Sequence, residues 1–379
     1  MITNEPRNNI VLLGCGDVGP VHEPVDNYAD LVKDTLATAD IRIGQCERVY
    51  SERGAFQIHS GGHHSCLPPH MASVFTACGF DVLSLASNHA MDWGEKALMD
   101  TIELLRKKGI LTIGAGSNLQ EARKPAFIER NGIRVAFLAY GSVLNEGYAA
   151  GPSKTGVAPL RIHTYYEPLE YQPGIPPRVV TIPYEEDMEA LKADITAAKR
   201  EAHVVVLSLH WGLHFIPRLI ADYQPLVAHA AFEAGADIIL GHHAHLPKAI
   251  EVYKGKGCFY SLSNFIMTAP GPTDPQQAEQ LRIRFLKRYG VEIDPLYHNL
   301  PYGVDAKRSL VARGVLTTEG VSRLSFLPVL INKQLKPEFL HQGDQRFNDA
   351  VRYMEWVSEG FAHRFSVEGD EVLITESAT

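Results

Sequence analysis

The sequence predicts a protein of the α/β class, and three observations support this. Short apolar runs rich in β-branched residues, such as 204–209 and 238–240, are bounded by Gly or polar residues and are typical of strands buried on both faces. Stretches with helical spacing, such as 95–108 and 185–200, alternate with these runs. Acidic residues and histidines stand directly after several of the runs, which is where α/β sheets place their ligands.

Composition and charge exclude several classes of function. The 379 residues carry a formal net charge of −8, and no cluster of Lys and Arg is interleaved with aromatic residues, which argues against a nucleic-acid or anionic-membrane surface. No apolar run reaches the roughly 18–20 residues of a membrane span, and the start of the sequence lacks the pattern of a secretory signal. The five cysteines never form a C-x-x-C pair, which argues against a disulfide framework or a Cys-rich zinc site. We therefore expect a cytoplasmic protein with a small-molecule substrate and without nucleic-acid or membrane partners; the sequence does not decide its oligomeric state.

In the first half of the chain, polar residues follow three predicted strands. They are Asp17 after strand 9–13, Glu47 after strand 40–44, and Asn88 with His89 after strand 80–85. Helices are predicted between these strands over 28–38, 71–78 and 95–108. An acid after a single strand is more often a turn or capping residue than a metal ligand, so Asp17 alone decides little. The repetition of the pattern favours a site at one edge of the sheet.

A His-rich passage over residues 48–70 interrupts this half of the chain. Its Gly and Pro residues exclude a regular helix or strand. His63 and His64 stand beside two glycines and are candidates for substrate binding on a flap. The alternative is a polar surface loop, and the sequence does not decide between the two.

The second half of the chain repeats the arrangement with histidines. The predicted strand 204–209 ends at His210, and strand 238–240 ends at His242, His243 and His245. Four histidines at two strand ends are hard to explain by packing alone, although each could be a hydrogen-bonded group at the start of a loop. We therefore interpret them as half of a metal site.

The remaining predicted elements complete one large domain. Hairpins are expected for 126–129 with 134–139, 249–254 with 258–262, and 310–317 with 321–328, and helices over 185–200, 224–234 and 347–358. We predict a single domain over residues 1–340 and a C-terminal helical extension over 341–379. Two stretches without a clear period, near 141–183 and 269–305, are interpreted as insertions.

The polar residues at the strand ends form a donor set of oxygen and nitrogen atoms without thiolate. Such a set suits Mn, Fe or Zn, singly or as a pair, better than a structural zinc ion of the Cys type. Two ions bridged by one carboxylate would lie about 3.5–4 Å apart and would lower the pKa of a shared water toward neutrality. An imidazole that does not bind metal could then protonate a leaving group. The expected cofactor is one or two divalent ions per chain.

Taken in order, these motifs resemble a known family. The matching residues are Gly16-Asp17, Glu47, Ser84 to Gly94, His210-Trp211-Gly212, Gly235-Ala236-Asp237, Gly241 to His245 and Tyr260 to Phe265. The pattern is similar to that of the bacterial CapA/PgsA proteins of capsule and poly-γ-glutamate synthesis, within the calcineurin-like metallophosphatase superfamily, and it covers roughly residues 9–268. The resemblance implies a four-layer α/β/β/α sandwich of two mixed sheets flanked by helices, with a two-metal site at the strand ends.

The resemblance also implies a role for each motif residue. Asp17 and His245 would bind a first ion, Glu47 would bridge, and Asn88, His210 and His243 would bind a second ion. His89 would be the catalytic acid that does not bind metal. The doubled histidine leaves the register open, so that His242 could replace His243 as ligand or could contact substrate.

The sequence departs from the wider pattern at two positions that matter. Gly19 stands where the superfamily motif Gly-Asp-x-His has its histidine, so the first ion has one ligand fewer, and His22 is a possible replacement. His214 stands where the family usually has Glu, and it is a candidate substrate contact. The expected function is a metal-dependent hydrolase that uses an activated water on a small anionic substrate, most directly a phosphoester. The alternatives are a metalloenzyme for a non-phosphate ester, amide or ether, and an accessory protein of poly-γ-glutamate or capsule synthesis.

Overall fold

The computed structural model describes residues 8–57, 66–171 and 174–377. Its strands are β1 Ile10–Gly19, β2 Ile41–Cys46, β3 Val49–Tyr50, β4 Cys66–Leu67, β5 Val82–Ser84, β6 Leu111–Ile113, β7 Ala115–Gly116, β8 Ala126–Arg130, β9 Ile133–Gly141, β10 Gly156–Val157, β11 Ile162–Glu167, β12 Arg178–Pro183, β13 Val204–His210, β14 Ile238–His242, β15 Ile250–Tyr253, β16 Lys256–Phe259, β17 Asn264–Met267, β18 Arg308–Thr317, β19 Gly320–Ile331, β20 Pro337–Phe339, β21 Arg364–Glu368 and β22 Glu371–Thr375. Its α-helices are α1 Lys33–Leu36, α2 Ser73–Ala77, α3 Gly94–Lys107, α4 Leu119–Ala122, α5 Glu185–Glu201, α6 Tyr223–Ala234, α7 Pro275–Tyr289 and α8 Gln345–Ser358.

The larger of two main sheets is mixed and has ten strands. Its order is β21-β22-β19-β18-β1-β2-β5-β6, with β17 beside β1 and β20 beside β19. Strands β1, β2, β5, β6 and β17 pair in parallel, whereas β18 to β22 pair antiparallel. The carboxyl ends of the parallel strands therefore meet at one edge, where the chain leaves the sheet.

The smaller main sheet has six strands in the order β15-β16-β14-β13-β9-β8. Strands β9, β13, β14 and β16 are parallel, and β8 and β15 pair antiparallel at its two edges. Helix α6 connects β13 to β14 and ends at Gly235, whose φ of 119° is a left-handed conformation that glycine adopts without strain. This crossover places the ends of β13 and β14 side by side.

The two sheets pack face to face. Alternate residues of β13 point in opposite directions: Val204 and Val206 belong to the core between the sheets, whereas Val205, Leu207 and Leu209 pack with α5 and α6. A Cβ atom at Gly14 would lie 2.8 Å from Leu240, which shows how closely β1 approaches β14. Helices α2 and α3 pack against the larger sheet, within the same cluster of apolar side chains. The predicted four-layer α/β/β/α sandwich of two mixed sheets is thereby confirmed.

Two segments differ from the expectations for them. Residues 341–379, predicted as a helical extension, contain α8 and then the hairpin β21–β22, which joins the larger sheet at β19. Val372 and Ile374 are buried and alternate with more exposed residues, which is the period of a strand. The insertion 269–305 contains α7, whose apolar stripe is weak because Phe285 is its one buried residue. None of the helices in the described ranges combines the length and apolar character that a bilayer crossing needs.

Candidate metal centre

The strand ends of the two sheets bring the predicted ligands to one edge of the sandwich. In the larger sheet, the register places Asp17 of β1 opposite Gln45 of β2 on one side and Asn264 of β17 on the other. In the smaller sheet, His210 of β13 lies opposite His242 of β14. The carboxylates and the imidazoles therefore enter the site from two different sheets.

Gly16 allows the close approach of strands that sets the position of Asp17. A Cβ atom at Gly16 would lie 2.0 Å from the Ser263 carbonyl oxygen, so any side chain there would force β1 away from β17. The backbone N–H of Asp17 donates to that same oxygen at 2.9 Å. Ser263 has a φ of 70°, a left-handed conformation that is uncommon for a residue with a side chain. The turn is strained where it holds the aspartate in place.

Asp17, Glu47 and His210 form a close group of carboxylate and imidazole ligand atoms at this edge. One ligand atom from each of the three lies within 4.8 Å of the other two, and all three side chains are fully buried. Among the residues that the structure describes, both Asp17 carboxylate oxygens, Glu47 Oε1 and His210 Nδ1 have no hydrogen-bond partner. Buried polar atoms are rarely left in this state, because each loses its hydration without compensation. A divalent cation satisfies all of them, and the residues present therefore fit the metal that the sequence predicts.

The electrostatics of this group also favour a cation. Burial, and next the charge of Asp17, raise the pKa of the Glu47 carboxyl well above its usual value, although Ser87 donates to Glu47 Oε2 at 3.0 Å. Burial likewise holds the pKa of His210 well below its usual value, so that this imidazole is neutral. Two buried carboxylates and a neutral imidazole present lone pairs that a divalent ion can accept.

Asn88 and His243 extend the group on the His210 side. Asn88 Oδ1 lies 2.7 Å from His210 Nε2, and His243 Nδ1 lies 3.2 Å from the same nitrogen. Ligand atoms that share one ion at about 2.1 Å lie about 3 Å apart, so these distances suit neighbouring ligands as well as hydrogen bonds. His243 has a φ of 87°, a strained conformation that aims its ring at His210.

His242 and His245 lie on the Asp17 side of the group. Their Nδ1 atoms are 3.2 Å from Asp17 Oδ1 and 3.4 Å from Asp17 Oδ2, respectively. Asn264 Nδ2 donates to two carbonyls, so its Oδ1 is the acceptor for His245 Nδ1–H at 2.8 Å, and the lone pair of the His245 ring is then on Nε2. The two candidates for the ambiguous ligand thus face different partners: His242 faces Asp17 and His243 faces His210.

His89 is paired with an acid whose part in the site the sequence did not reveal. His89 Nδ1 donates to Asp92 Oδ2 at 2.7 Å, and the Tyr148 hydroxyl donates to Asp92 Oδ1 at 2.9 Å. Burial, and then the charge of Arg48, lower the pKa of His89 to about 3. His89 Nε2 lies 3.9 Å from Glu47 Oε1. An acid near a helix start is usually explained by the helix dipole, and the Asn-His-x-x-Asp spacing was the signal that could have identified Asp92.

The ring of His214 packs against His243, a candidate metal ligand, in a group of stacked aromatic rings. Its ring centroid is 3.7 Å from that of His243, and it stacks on Phe215 at 4.5 Å. Tyr302, from the insertion 269–305, stacks on His245 at 4.2 Å. The insertion therefore contributes directly to the site, which its lack of sequence period did not indicate. His63 and His64, predicted to bind substrate, lie outside the described residues.

His22 does not take the place of the missing histidine at Gly19. Its Nε2 lies 3.1 Å from the Ala269 carbonyl oxygen and 2.9 Å from Asn299 Nδ2. It is not part of the close group formed by Asp17, Glu47 and His210. The motif at the end of β1 therefore supplies one ligand from a carboxylate and none from an imidazole.

Comparisons with known proteins place the chain in a family. It is 35% identical over 194 residues to the PGA biosynthesis protein CapA of Bacillus subtilis (strain 168), which is 51% of this chain and 44% of that protein. It is 32% identical over 192 residues to the capsule biosynthesis protein CapA of Bacillus anthracis, which is 50% of this chain and 40% of that protein. The chain thus spans less than half the length of these relatives.

The fold also resembles solved structures at low sequence identity. The calcineurin-like phosphoesterase YfkN of Bacillus subtilis is similar with a TM-score of 0.41 and 11% identity, over 93% of this chain and 99% of that one. A family model described as bacterial capsule synthesis protein PGA_cap matches residues 12–269, a range that runs from before Asp17 to beyond Asn264. This match covers more than half of the sequence and confirms the predicted resemblance. The chain belongs to the bacterial capsule synthesis protein family PGA_cap.

Proposed function

We propose that this chain is a divalent-metal-dependent hydrolase that acts on a small anionic ester, with phosphoesters as the first class to test. One observation carries the proposal: lone-pair atoms of Asp17, Glu47 and His210 are fully buried and close together, and they have no hydrogen-bond partner within residues 8–57, 66–171 and 174–377. A purely structural role would leave that arrangement costly and uncompensated. A metal centre explains it.

Six residues of the site are suited to hold metal. They are Asp17, Glu47 and His210 at the centre, with Asn88, His243 and His245 around them. Oxygen and imidazole donors of this kind suit Mn, Zn or Fe. When bound, a divalent ion would polarise a substrate oxygen and lower the pKa of a water molecule toward neutrality.

His89 is the proposed proton donor to the leaving group. Its Nδ1 is fixed on Asp92, so the ring is oriented and its Nε2 edge is turned toward Asn88 and Glu47. The imidazole is neutral in the substrate-free protein because burial lowers its pKa to about 3. Its protonation would therefore have to accompany the arrival of an anionic substrate, whose negative charge favours the imidazolium.

The surroundings of the centre favour selective access. Ser87 donates to Glu47 Oε2 and keeps that carboxylate in one orientation. The rings of His214, Phe215 and Tyr302 stack on one another and beside His243 and His245, and we expect them to shield that side of the centre from water. Exclusion of water strengthens the electrostatic interactions that a charged substrate would make there.

The test is a substrate panel on metal-loaded protein. Phosphomonoesters and phosphodiesters are compared with carboxylic esters and amides, each with added Mn, Zn or Fe, and the Glu47→Gln variant is the negative control. Turnover of a phosphoester that disappears in the variant supports the proposal. Turnover confined to a carboxylic ester or amide would move the chain to a non-phosphate chemistry, and turnover of none would contradict a hydrolase.

A second candidate is an accessory role in the synthesis of a capsule polymer. It is favoured by the names of the relatives from Bacillus subtilis and Bacillus anthracis, which refer to PGA and capsule biosynthesis. On that view the metal centre binds the polymer or a precursor without turnover. Loss of polymer after deletion, restored equally by wild type and by a His89→Ala variant, would favour this role over hydrolysis.

A further inference from the structure

Arg48 is a buried cation beside the proposed metal centre. It follows Glu47 directly, and 6% of its surface is exposed. Its Nε donates to the Gly19 carbonyl and its Nη2 to the Thr268 carbonyl, both at 2.9 Å. These two bonds tie the guanidinium to the ends of β1 and β17, so the group is held by backbone. Buried arginines are usually paired with carboxylates, and within the described ranges Arg48 has no carboxylate within 4.0 Å.

The side chain of Arg48 fills the space next to Gly19. A Cβ atom at Gly19 would lie 2.9 Å from Arg48 Cγ and 3.1 Å from Met267 Sδ. Contacts under 3.0 Å require a neighbour to move, and Met267 confines the same space from the other strand. A side chain at position 19 would therefore have to displace Arg48 or Met267 from the positions they occupy. The absence of a side chain at position 19 therefore leaves the space that the side chain of Arg48 occupies.

The positive charge of Arg48 acts on the centre. After desolvation by burial, it is the next cause of the lowered pKa of His89, and it also contributes to the lowered pKa of His245. It acts on Glu47 in the sense that stabilises the carboxylate. The positive charge of the guanidinium therefore acts on the same groups as a bound metal ion would.

The number of close ligands and the charge balance both suit one ion. In the described residues one group of three acidic or imidazole side chains lies close enough to share an ion. The carboxylates of Asp17, Glu47 and Asp92 and the guanidinium of Arg48 are all buried, and together they carry two net negative charges. One divalent ion neutralises this group, whereas two ions would leave two positive charges in a buried site.

We propose that Arg48 takes the place of one metal ion, so that this chain binds a single divalent ion among Asp17, Glu47 and His210 and uses the guanidinium as its second cation. The inference rests on the metal binding in the proposed function and refines the two-ion site that the resemblance implies. Gly19 then has a role of its own: it lacks the imidazole of the superfamily motif, and it also leaves room for Arg48.

Metal stoichiometry tests the inference without any activity measurement. The full chain is stripped with a chelator, titrated with Mn²⁺, and examined by elemental analysis and electron paramagnetic resonance. We expect one ion per chain and the spectrum of an isolated Mn²⁺ ion. Two ions per chain with an exchange-coupled spectrum would overturn the inference and leave the hydrolase proposal standing. Absence of any bound ion would overturn both.

A restored ligand provides the second arm of the test. The double variant Gly19→His with Arg48→Ala is expected to bind two ions per chain, because it removes the guanidinium and opens the space for an imidazole. Arg48→Lys, which keeps a positive charge, and Arg53→Ala, which removes an exposed arginine paired with Asp100, are expected to stay at one ion. A folded double variant that stays at one ion would contradict the role of Arg48. If circular dichroism shows that the double variant is unfolded, the number of metal ions bound by the wild-type protein still tests the inference.

Discussion

The two sheets contribute different chemistry to the same site. The larger sheet supplies the carboxylates and the amide, from Asp17, Glu47 and Asn88, together with His89. The proposed ligands from the smaller sheet are all imidazoles, from His210, His243 and His245. In the described part of the chain, three of the four oxygens of the Asp17 and Glu47 carboxylates have no hydrogen-bond partner, whereas these imidazoles contact one another or an amide.

This difference indicates which sheet carries the buried negative charge that a cation would balance. Negative charge buried without a partner is costly, and it comes from the larger sheet alone. Of the imidazoles of the smaller sheet, His210, His243 and His245 add ligand atoms at little electrostatic cost, because burial lowers their pKa values and keeps them neutral. Removal of a carboxylate should therefore affect metal binding, charge and stability together, while changes on the smaller sheet should affect geometry first.

The largest expected effect follows removal of one carboxylate of the larger sheet. Glu47→Gln keeps the shape of the side chain and removes its charge, and we expect loss of bound metal and of all turnover. The measurement is elemental analysis of protein purified without chelator. Asp187→Asn is the matched control, since Asp187 is also buried but pairs with Arg161 outside the site. If the Glu47→Gln protein keeps its full metal content, the metal does not bind at this position.

A smaller effect is expected where the larger sheet supplies an imidazole that does not bind metal. His89→Ala should keep the metal content of the wild type and lower turnover by about 10²–10⁴-fold, the usual contribution of a proton-transferring side chain. His210→Ala, on the smaller sheet, should lower both metal content and turnover. The pair is measured by elemental analysis and steady-state kinetics on the same preparations. Loss of metal from the His89 variant would show that the two roles are assigned wrongly.

The pH dependence of stability tests whether the charge of Glu47 is unbalanced in the metal-free protein. The pKa of Glu47 is raised in the folded state, by burial and then by Asp17, so above about pH 4.5 this carboxyl keeps its proton to higher pH in the metal-free folded chain than in the unfolded chain. Its contribution to stability therefore falls as pH rises, by up to about 1.4 kcal/mol per pH unit. Buried histidines such as His210, whose pKa is lowered, act in the opposite sense, so the contribution of Glu47 is the difference between the wild type and Glu47→Gln. Urea unfolding of both metal-free proteins between pH 5 and 8 measures the two slopes, and the slope of the variant should be the more positive. If the two slopes agree, the charge of Glu47 is already balanced.

Sequence reasoning located most of this site because parallel strands end at a common edge. Asp17, Glu47, Asn88 and His210 follow buried runs, and burial on both faces of a strand leaves a clear apolar signal. Position along the chain was enough to group them, since the fold brings successive strand ends together.

Other residues could not be assigned from the sequence, for physical reasons. Asp92 lies at the start of α3, where an acid has an ordinary explanation in the helix dipole. Arg48 matters because of the space beside Gly19, and a steric relation between two strands has no local signature. Tyr302 reaches His245 from an insertion whose helix is mostly exposed and therefore shows little apolar period.

The smallest effect is expected from Lys248, a buried lysine that follows the histidines of the smaller sheet in the sequence. Lys248 Nζ donates to the carbonyls of Ile216 and Leu219, both at 2.6 Å, and so holds the loop that carries His214. Burial lowers the pKa of Lys248 to about 7, from an ordinary value of 10.5. Between these values the unfolded chain binds more protons than the folded chain, so this group makes stability rise with pH, by less than about 1.4 kcal/mol per pH unit.

Lys248→Met should remove that rise, and the difference between the two proteins cancels the contribution of every other titrating group. Urea unfolding at pH 7, 8 and 9 measures the two slopes, with Lys192→Met, which removes a lysine paired with Glu189 on α5, as the control. The absolute stability of Lys248→Met is expected to be lower at pH 9, because two loop carbonyls lose their donor. Metal content should stay at the wild-type value, since the loop positions His214 and carries none of the central ligands. Equal slopes in the two proteins would show that Lys248 stays charged in the fold, and the smaller sheet would then also bring charge to this edge.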